Sequence, residues 1–197
     1  MSLPVSVSFS TIAAAQLLEA FDARFVPVGV SSLNGHAGGG SVAANNITAD
    51  SLYYFDGGEV FADDQFVEWT STGAGTGFVG GAIRMSPGGN AYAGIDNGTT
   101  LFFNRYAGGS FNGTIGTIAS AAAGTLVRIQ MVGTGFECFY DGVSVFTATD
   151  ASIASGQAGL AGFHIDNTGL GITSWTAGNV GATVINPMSG LRGQPLT

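Results

Sequence analysis

From Leu52 to Trp175 the chain is a succession of short apolar runs closed by turn-forming residues, and this spacing constrains the fold more than any other feature. Residues 52–55 end at Asp56-Gly57, and residues 78–85 end at Pro87-Gly88-Gly89-Asn90. Residues 91–95 lead to Asn97-Gly98, and residues 100–106 to Gly108-Gly109. In residues 126–132, Val127, Ile129 and Met131 fall on one face and Arg128 and Gln130 on the other, the alternation of a half-buried strand. Asp141-Gly142 joins residues 136–140 to 143–146 and supplies the positive φ that a tight hairpin turn requires. With residues 65–70, 159–165 and 171–176 included, about ten strands recur every 8 to 12 residues or so. That pattern predicts an all-β chain folded as a two-sheet antiparallel β-sandwich of the jelly-roll kind. No fixed-period repeat points to a propeller or solenoid.

The two ends read differently. Residues 11–21 hold helix formers and no glycine, and Ser10 or Thr11 suits an N-cap. A short helix is expected there, with an extended strap as the other reading. Residues 34–46, which include Gly38-Gly39-Gly40, read as a loop. The expected division is an N-terminal arm over 1–25, a sandwich domain over 26–179 and a C-terminal arm over 180–197. The C-terminal stretch combines apolar Val184, Ile185, Met188, Leu191 and Leu196 with Arg192 and two stiffening prolines, Pro187 and Pro195. Such a segment gains by lying along a neighbour, and the prolines lower its ordering cost. Ile185, Met188, Leu191, Arg192 and Leu196 are therefore the expected assembly contacts.

Charge narrows the partners. Only 9% of the residues are charged, against a usual quarter or so. The five basic residues are all Arg, against 13 acids, for a net charge of -8. No basic patch is available for phosphates, so nucleic acid is excluded as a partner, and anionic membranes are equally disfavoured. The surface must consist of Gly, Ser, Thr, Asn and backbone, which suits an extracellular setting or a packed assembly. Cys138 is the single cysteine, so no intrachain disulfide can form, and on a strand it reads as a small buried hydrophobe. The start, Met1-Ser2-Leu3-Pro4-Val5, has neither the basic nor the continuous apolar region of a signal peptide.

Several phrases carry a family likeness over residues 50–178. They are Asp64-Gln65-Phe66-Val67-Glu68; Gly81-Ala82-Ile83-Arg84 followed by Tyr92; Gly124-Thr125-Leu126-Val127-Arg128-Ile129 followed by Phe139-Tyr140-Asp141-Gly142-Val143; and the loop at 150–159, with Asp166 and Trp175 in the final strands. In order and spacing these resemble the concanavalin A-like lectin/glucanase superfamily, in the laminin-G-like form found in bacterial surface and phage structural proteins. The resemblance implies a two-sheet jelly roll with one concave face. It does not imply one activity, because the fold hosts lectins, hydrolases and structural modules.

Hydrolases of that superfamily need carboxylates about 5 to 9.5 Å apart, which on a strand means acids at every second residue. Glu68 is followed by Trp69-Thr70-Ser71-Thr72, and Phe66 separates it from Asp64, so no such set is present. His36 and His164 have no metal-ligand spacing, and no Gly-x-Ser-x-Gly places a serine nucleophile. Residues 73–77, Gly-Ala-Gly-Thr-Gly, join two strands and start no helix, so they are no phosphate loop. Asn97-Gly98-Thr99 and Asn112-Gly113-Thr114 match a sequon but read first as turns. No cofactor is expected. Calcium enters by family analogy alone, with Asp22 and Asp166 as its candidate ligands, while Asp63-Asp64 reads as a turn. Amphipathic Tyr53, Trp69, Tyr92, Arg105 and Tyr106 are the expected glycan contacts, against the plainer reading of core and sheet surface.

The first expectation for function is a non-catalytic phage virion component, a capsid decoration or tail-associated protein, located in the virion or outside the cell. Its partners would be other virion proteins such as the major capsid protein, a second copy of itself in a homo-oligomer, and surface glycans. The alternative is a carbohydrate-binding module of a bacterial extracellular protein, and the third reading is a glycan-cleaving enzyme.

Overall fold

The computed structural model describes residues 3–29, 31–37, 39–44, 50–72, 77–163 and 170–181. They form fifteen strands and a single helical turn. Near the N-terminus come β1 (Val5–Ser8), the turn α1 (Leu18–Phe21), β2 (Phe25–Pro27), β3 (Leu33–Gly35) and β4 (Val42–Ala44). The middle of the chain supplies β5 (Ser51–Phe55), β6 (Gln65–Ser71), β7 (Phe78–Met85), β8 (Ala91–Asp96), β9 (Thr100–Ala107) and β10 (Ser110–Ala119). The last five are β11 (Leu126–Val132), β12 (Gly135–Tyr140), β13 (Val143–Thr149), β14 (Gln157–Phe163) and β15 (Ile172–Asn179). One sheet has eight strands in the order β13-β12-β11-β6-β15-β4-β3, with β1 also on β15; the other has seven, in the order β10-β9-β8-β7-β14-β5-β2. The chain is thus an antiparallel two-sheet β-sandwich of jelly-roll form, as its turn spacing predicts.

Side-chain alternation sorts the faces. Val67 and Trp69 of β6, Val127, Ile129 and Met131 of β11, and Trp175 of β15 point inward from the eight-stranded sheet. They meet Val79 and Ile83 of β7, Tyr92 of β8, Phe103 of β9 and Leu160 of β14. Phe25 and Phe55 pack on Trp175 with ring centroids 5.1 and 5.0 Å away. Trp69 fits because two facing strands carry glycine. A Cβ at Gly81 would lie 2.8 Å from Trp69 Cε3, and one at Gly94 would lie 3.0 Å from its Cη2.

The Asp141-Gly142 hairpin forms as expected, with φ of 49° and 81° at the two turn residues, the mirror-image turn that suits twisted strands. The thiol of Cys138 is buried as expected, and desolvation pushes it up to about 12. Residues 34–46 are not wholly a loop, since they contribute to β3 and β4.

The N-terminal arm expected over 1–25 is instead built into the sandwich. β1 pairs with β15 in the register Val5↔Ala177 to Ser8↔Ser174, and Phe9, Ile12 and Leu18 lie in the core. The helix expected from residue 11 is reduced to α1. Backbone bonds from Ala15 N–H to Gly35 O, Gly35 N–H to Gln16 O and Gly40 N–H to Ile12 O hold residues 12–16 against β3 in a non-helical path. Tertiary hydrogen bonding here overrides helix propensity. The C-terminal arm residues Ile185, Met188, Leu191, Arg192 and Leu196 lie outside the described residues.

Arg84 closes one end of the sandwich. Its side chain is 2% exposed and donates from Nε to Asp63 O, from Nη1 to Ile153 O and from Nη2 to Gly133 O. Gln65 completes the clamp, its Nε2 donating to Ala62 O and Gly156 O and its Oε1 accepting the Arg84 N–H.

The two outer faces differ sharply in polarity. That of the eight-stranded sheet presents Glu68, Thr70, Arg128, Gln130, Ser174 and Thr176, all half-buried. That of the seven-stranded sheet is apolar: Leu52, Ala82, Ala93, Ile95 and Ala161 form a second cluster, edged by Val28, Tyr54, Phe78 and Phe102. The room left for Trp69 is testable. Gly81→Ala forces a methyl group against the indole and against Val67, and is expected to lower stability by about 1–3 kcal/mol in urea unfolding. An unchanged midpoint would show that the indole is not held by this fit.

Candidate functional site

A cleft of about 430 Å³ opens on the apolar outer face of the seven-stranded sheet. Strand alternation places Phe102, Asn104 and Tyr106 of β9 on this one face, and neighbouring strands add Ile95 of β8 and Phe111 and Thr114 of β10. Phe78 opens β7 and Phe163 closes β14, so both stand at the same end of the sheet, beside Phe102. Asp50, just before β5, supplies the one carboxylate among the described lining residues. The rings are arranged edge to face: Phe78 and Phe102 are 5.5 Å apart at 66°, and Tyr106 and Phe111 are 6.5 Å apart at 80°. Phe111 is 53% exposed and gives the cleft its open ring face.

The polar groups sit at the base of these rings. Asp50 Oδ2 accepts the Phe111 N–H at 2.9 Å, and Asn104 Oδ1 accepts the Thr114 hydroxyl at 3.0 Å. The buried Tyr106 hydroxyl makes no hydrogen bond of good geometry. Burial and the charge of Asp50 push its phenol up, and Asn104 alongside opposes that rise. Burial likewise raises the Asp50 carboxyl, with the Phe111 N–H opposing. The cleft thus combines aromatic faces with a carboxylate, an amide and an unsatisfied hydroxyl, a set suited to an uncharged polyhydroxylated ligand.

Of the five expected glycan contacts, only Tyr106 reaches this cleft, and it does so through its base rather than as an open stacking face. Tyr53, Trp69 and Tyr92 are fully buried between the sheets and offer no face to a ligand. The Tyr53 hydroxyl donates to Glu19 Oε2 at 2.9 Å and ties α1 to β5. Tyr92 and Arg105 meet at Asp150: the phenol donates to Oδ1 at 2.7 Å, and Arg105 Nη1 donates to Oδ2 at 2.9 Å. Against the cost of burial, bonds from Ser152 and Tyr92 and the charge of Arg105 hold the Asp150 carboxyl below its usual range. These two residues anchor the loop after β13. Phe78, Phe102, Phe111 and Phe163 were missed because phenylalanine in a strand reads as core, and here both faces of the sheet are apolar.

On the outer face of the eight-stranded sheet, two carboxylates, Glu68 and Asp141, line one groove. Glu68 is held by Arg128, Nη1 to Oε1 at 3.4 Å, Asp141 Oδ1 accepts the Leu126 N–H at 2.9 Å, and Glu137 stands two strands from Glu68 and out of register with it. Asp22 is occupied by Arg24 at 2.7 Å, whose hydrogen bonds lower its carboxyl against the cost of burial. His164 and Asp166 lie outside the described residues. Among those described, no group of three or more His, Cys, Asp or Glu side chains converges as a metal site.

Solved structures resemble this architecture at low identity. The carbohydrate-binding module CBM66 from Bacillus subtilis superposes with a TM-score of 0.56 at 16% identity, over 79% of this chain and 92% of that one. The Crh5 transglycosylase in complex with NAG gives 0.59 at 14% identity, over 91% and 85%. The carbohydrate recognition domain of Emp47p gives 0.52 at 13% identity, over 88% and 94%. The fold is a concanavalin A-like sandwich. No family model and no curated protein sequence matches the chain. Structures alike in this way include both binding modules and enzymes, so the concanavalin A-like sandwich leaves the activity to be argued from the site.

The raised Asp50 carboxyl gives a pH test with a definite sign. A carboxyl raised on folding favours the native state when protonated, and that advantage is lost as pH rises through its folded value. Asp50→Asn is therefore expected to raise the melting temperature at neutral pH, with the gain vanishing below the ordinary carboxylate range. A gain that persists unchanged at low pH would contradict a buried, ionised Asp50.

Proposed function

We propose that this chain is a non-catalytic carbohydrate-binding module that holds a glycan in the cleft between Phe111, Phe102 and Asp50. The observation that carries this reading is the composition of the cleft: several aromatic rings, one of them open to solvent, with a carboxylate, an amide and a phenol at their base. Sugar rings present apolar C–H faces and polar edges, and a cleft so built meets both. The likeness to a carbohydrate-binding module and a carbohydrate recognition domain supports the same class.

Enzymes share the fold, so cleavage is the competing reading. Glycoside hydrolysis needs two carboxyl groups about 5 to 9.5 Å apart across the scissile bond. Here the described lining of the cleft supplies Asp50 alone, and the neighbouring strand β8 presents apolar Ala91, Ala93 and Ile95 on this face. The expectation of a phage virion component rested on the chain ends and on composition. None of the three structures compared above is a virion protein, and the carbohydrate-binding alternative is the better supported.

Binding is read by calorimetry of the full chain against a panel of soluble neutral oligosaccharides. Phe111→Ala, which removes an exposed ring, is expected to weaken the bound sugar about ten-fold or more while leaving the melting temperature nearly unchanged. Undiminished affinity in that variant would move the site elsewhere, and release of shortened product would make the chain an enzyme.

A further inference from the structure

The polar outer face of the eight-stranded sheet carries an ordered row. Strand registers align six outward side chains from six adjacent strands: Ser6↔Thr176, Thr176↔Glu68, Glu68↔Arg128, Arg128↔Phe139 and Phe139↔Ser144. Five steps of about 4.8 Å give a track about 24 Å long, running across the strands. A groove of about 500 Å³ follows its middle, between Arg128, Phe139 and the Asp141-Gly142 turn.

The row is held in place. The Arg128 guanidinium lies 3.9 Å above the Phe66 ring centroid and pairs with Glu68 at 3.4 Å. Thr176 Oγ1 donates to Ser6 Oγ at 2.9 Å, and Ser144 Oγ donates to Glu137 Oε1 at 2.6 Å. Each polar group is therefore oriented before any ligand arrives, which lowers the ordering cost of binding. Arg128 and Glu68 are only 28% and 23% exposed in their side chains, yet both line the groove. Side by side they offer a donor and an acceptor to adjacent hydroxyls, Phe139 offers a ring, and the ends offer more hydroxyls.

Charge selects the occupant. The molecule carries -8, and the single guanidinium of the row is neutralised by its own carboxylate. A polyanion is repelled, by the net charge and by the Asp141 carboxylate that also lines the groove. We infer that this row is a second binding track, taking an extended neutral polysaccharide several sugar rings long, on the face opposite the cleft. The inference extends the carbohydrate-binding reading but does not share its residues. With both faces occupied, one chain bridges two polysaccharide strands.

The test uses the full chain with soluble neutral glucan, xylan and mannan, and reads affinity by calorimetry and bridging by turbidity. Three variants separate the faces: Phe111→Ala for the cleft, Arg128→Ala for the middle of the track, and Ser6→Arg for its end. Ser6 is exposed, so the last variant crowds the track without touching the core. Retained near-ultraviolet circular dichroism shows that each is folded. The expected result is that the wild type binds a polysaccharide in two phases and precipitates it. Either track variant then loses one phase, by about ten-fold in affinity, together with the turbidity. If Phe111→Ala abolishes all binding and both track variants bind like wild type, the track is overturned and the cleft stands. If the track variants abolish all binding and Phe111→Ala does not, the track stands and the cleft reading fails. A wild type that binds none of the three overturns both.

Discussion

The sandwich depends on one inter-sheet fit, the indole of Trp69 seated against backbone that carries no side chain at Gly81 and Gly94. A large ring from the eight-stranded sheet fills the centre, and the facing strands give way to it. The same strands, with β14 beside them, are small on their other face, where Ala82, Ala93 and Ala161 lie. The middle of the seven-stranded sheet is therefore thin, while Phe78, Phe102 and Phe163 rise along one end of it. A thin floor beside tall aromatic walls is a cleft. Packing that secures the core thus also shapes the candidate site.

Scarcity of charge is the second constraint. With few ions to place, the chain uses them at joints. Arg84 gathers carbonyls from three loops, Asp150 collects Tyr92, Arg105 and Ser152, and Arg128 stacks on Phe66 beside Glu68. A buried guanidinium that meets carbonyl dipoles leaves little of its hydrogen-bonding capacity unmet, which keeps its desolvation tolerable. What remains for recognition is mostly neutral chemistry, rings, hydroxyls and amides, with the Asp50 carboxylate in the cleft. That chemistry supports the glycan reading proposed above.

The sequence made the strands legible because their signals are local. The alternation at Val127, Ile129 and Met131 and the Asp141-Gly142 turn need only neighbours to be read, and both stand in the structure as expected. The N-terminal segment was not legible for the opposite reason. Ala13-Ala14-Ala15 favours a helix alone, and only the distant partners Gly35 and Gly40 set its path. The site failed on a question of facing. Tyr53, Trp69 and Tyr92 look amphipathic in sequence, yet each lies on an inward position, and their polar atoms are not a sign of exposure. The phenylalanines of the cleft carry no polar signal, and nothing local says that the second face of their sheet is also apolar.

The central claim is that this concanavalin A-like sandwich holds sugar in its aromatic cleft without cutting it. A titration of the isotopically labelled chain with a bound oligosaccharide, followed by nuclear magnetic resonance, tests it most directly. The account predicts saturable shifts at the amides of Asn104, Phe111 and Thr114, with the oligosaccharide recovered at its original length. Shifts confined to residues remote from the cleft and from the opposite face, or an oligosaccharide shortened in the same tube, would contradict it.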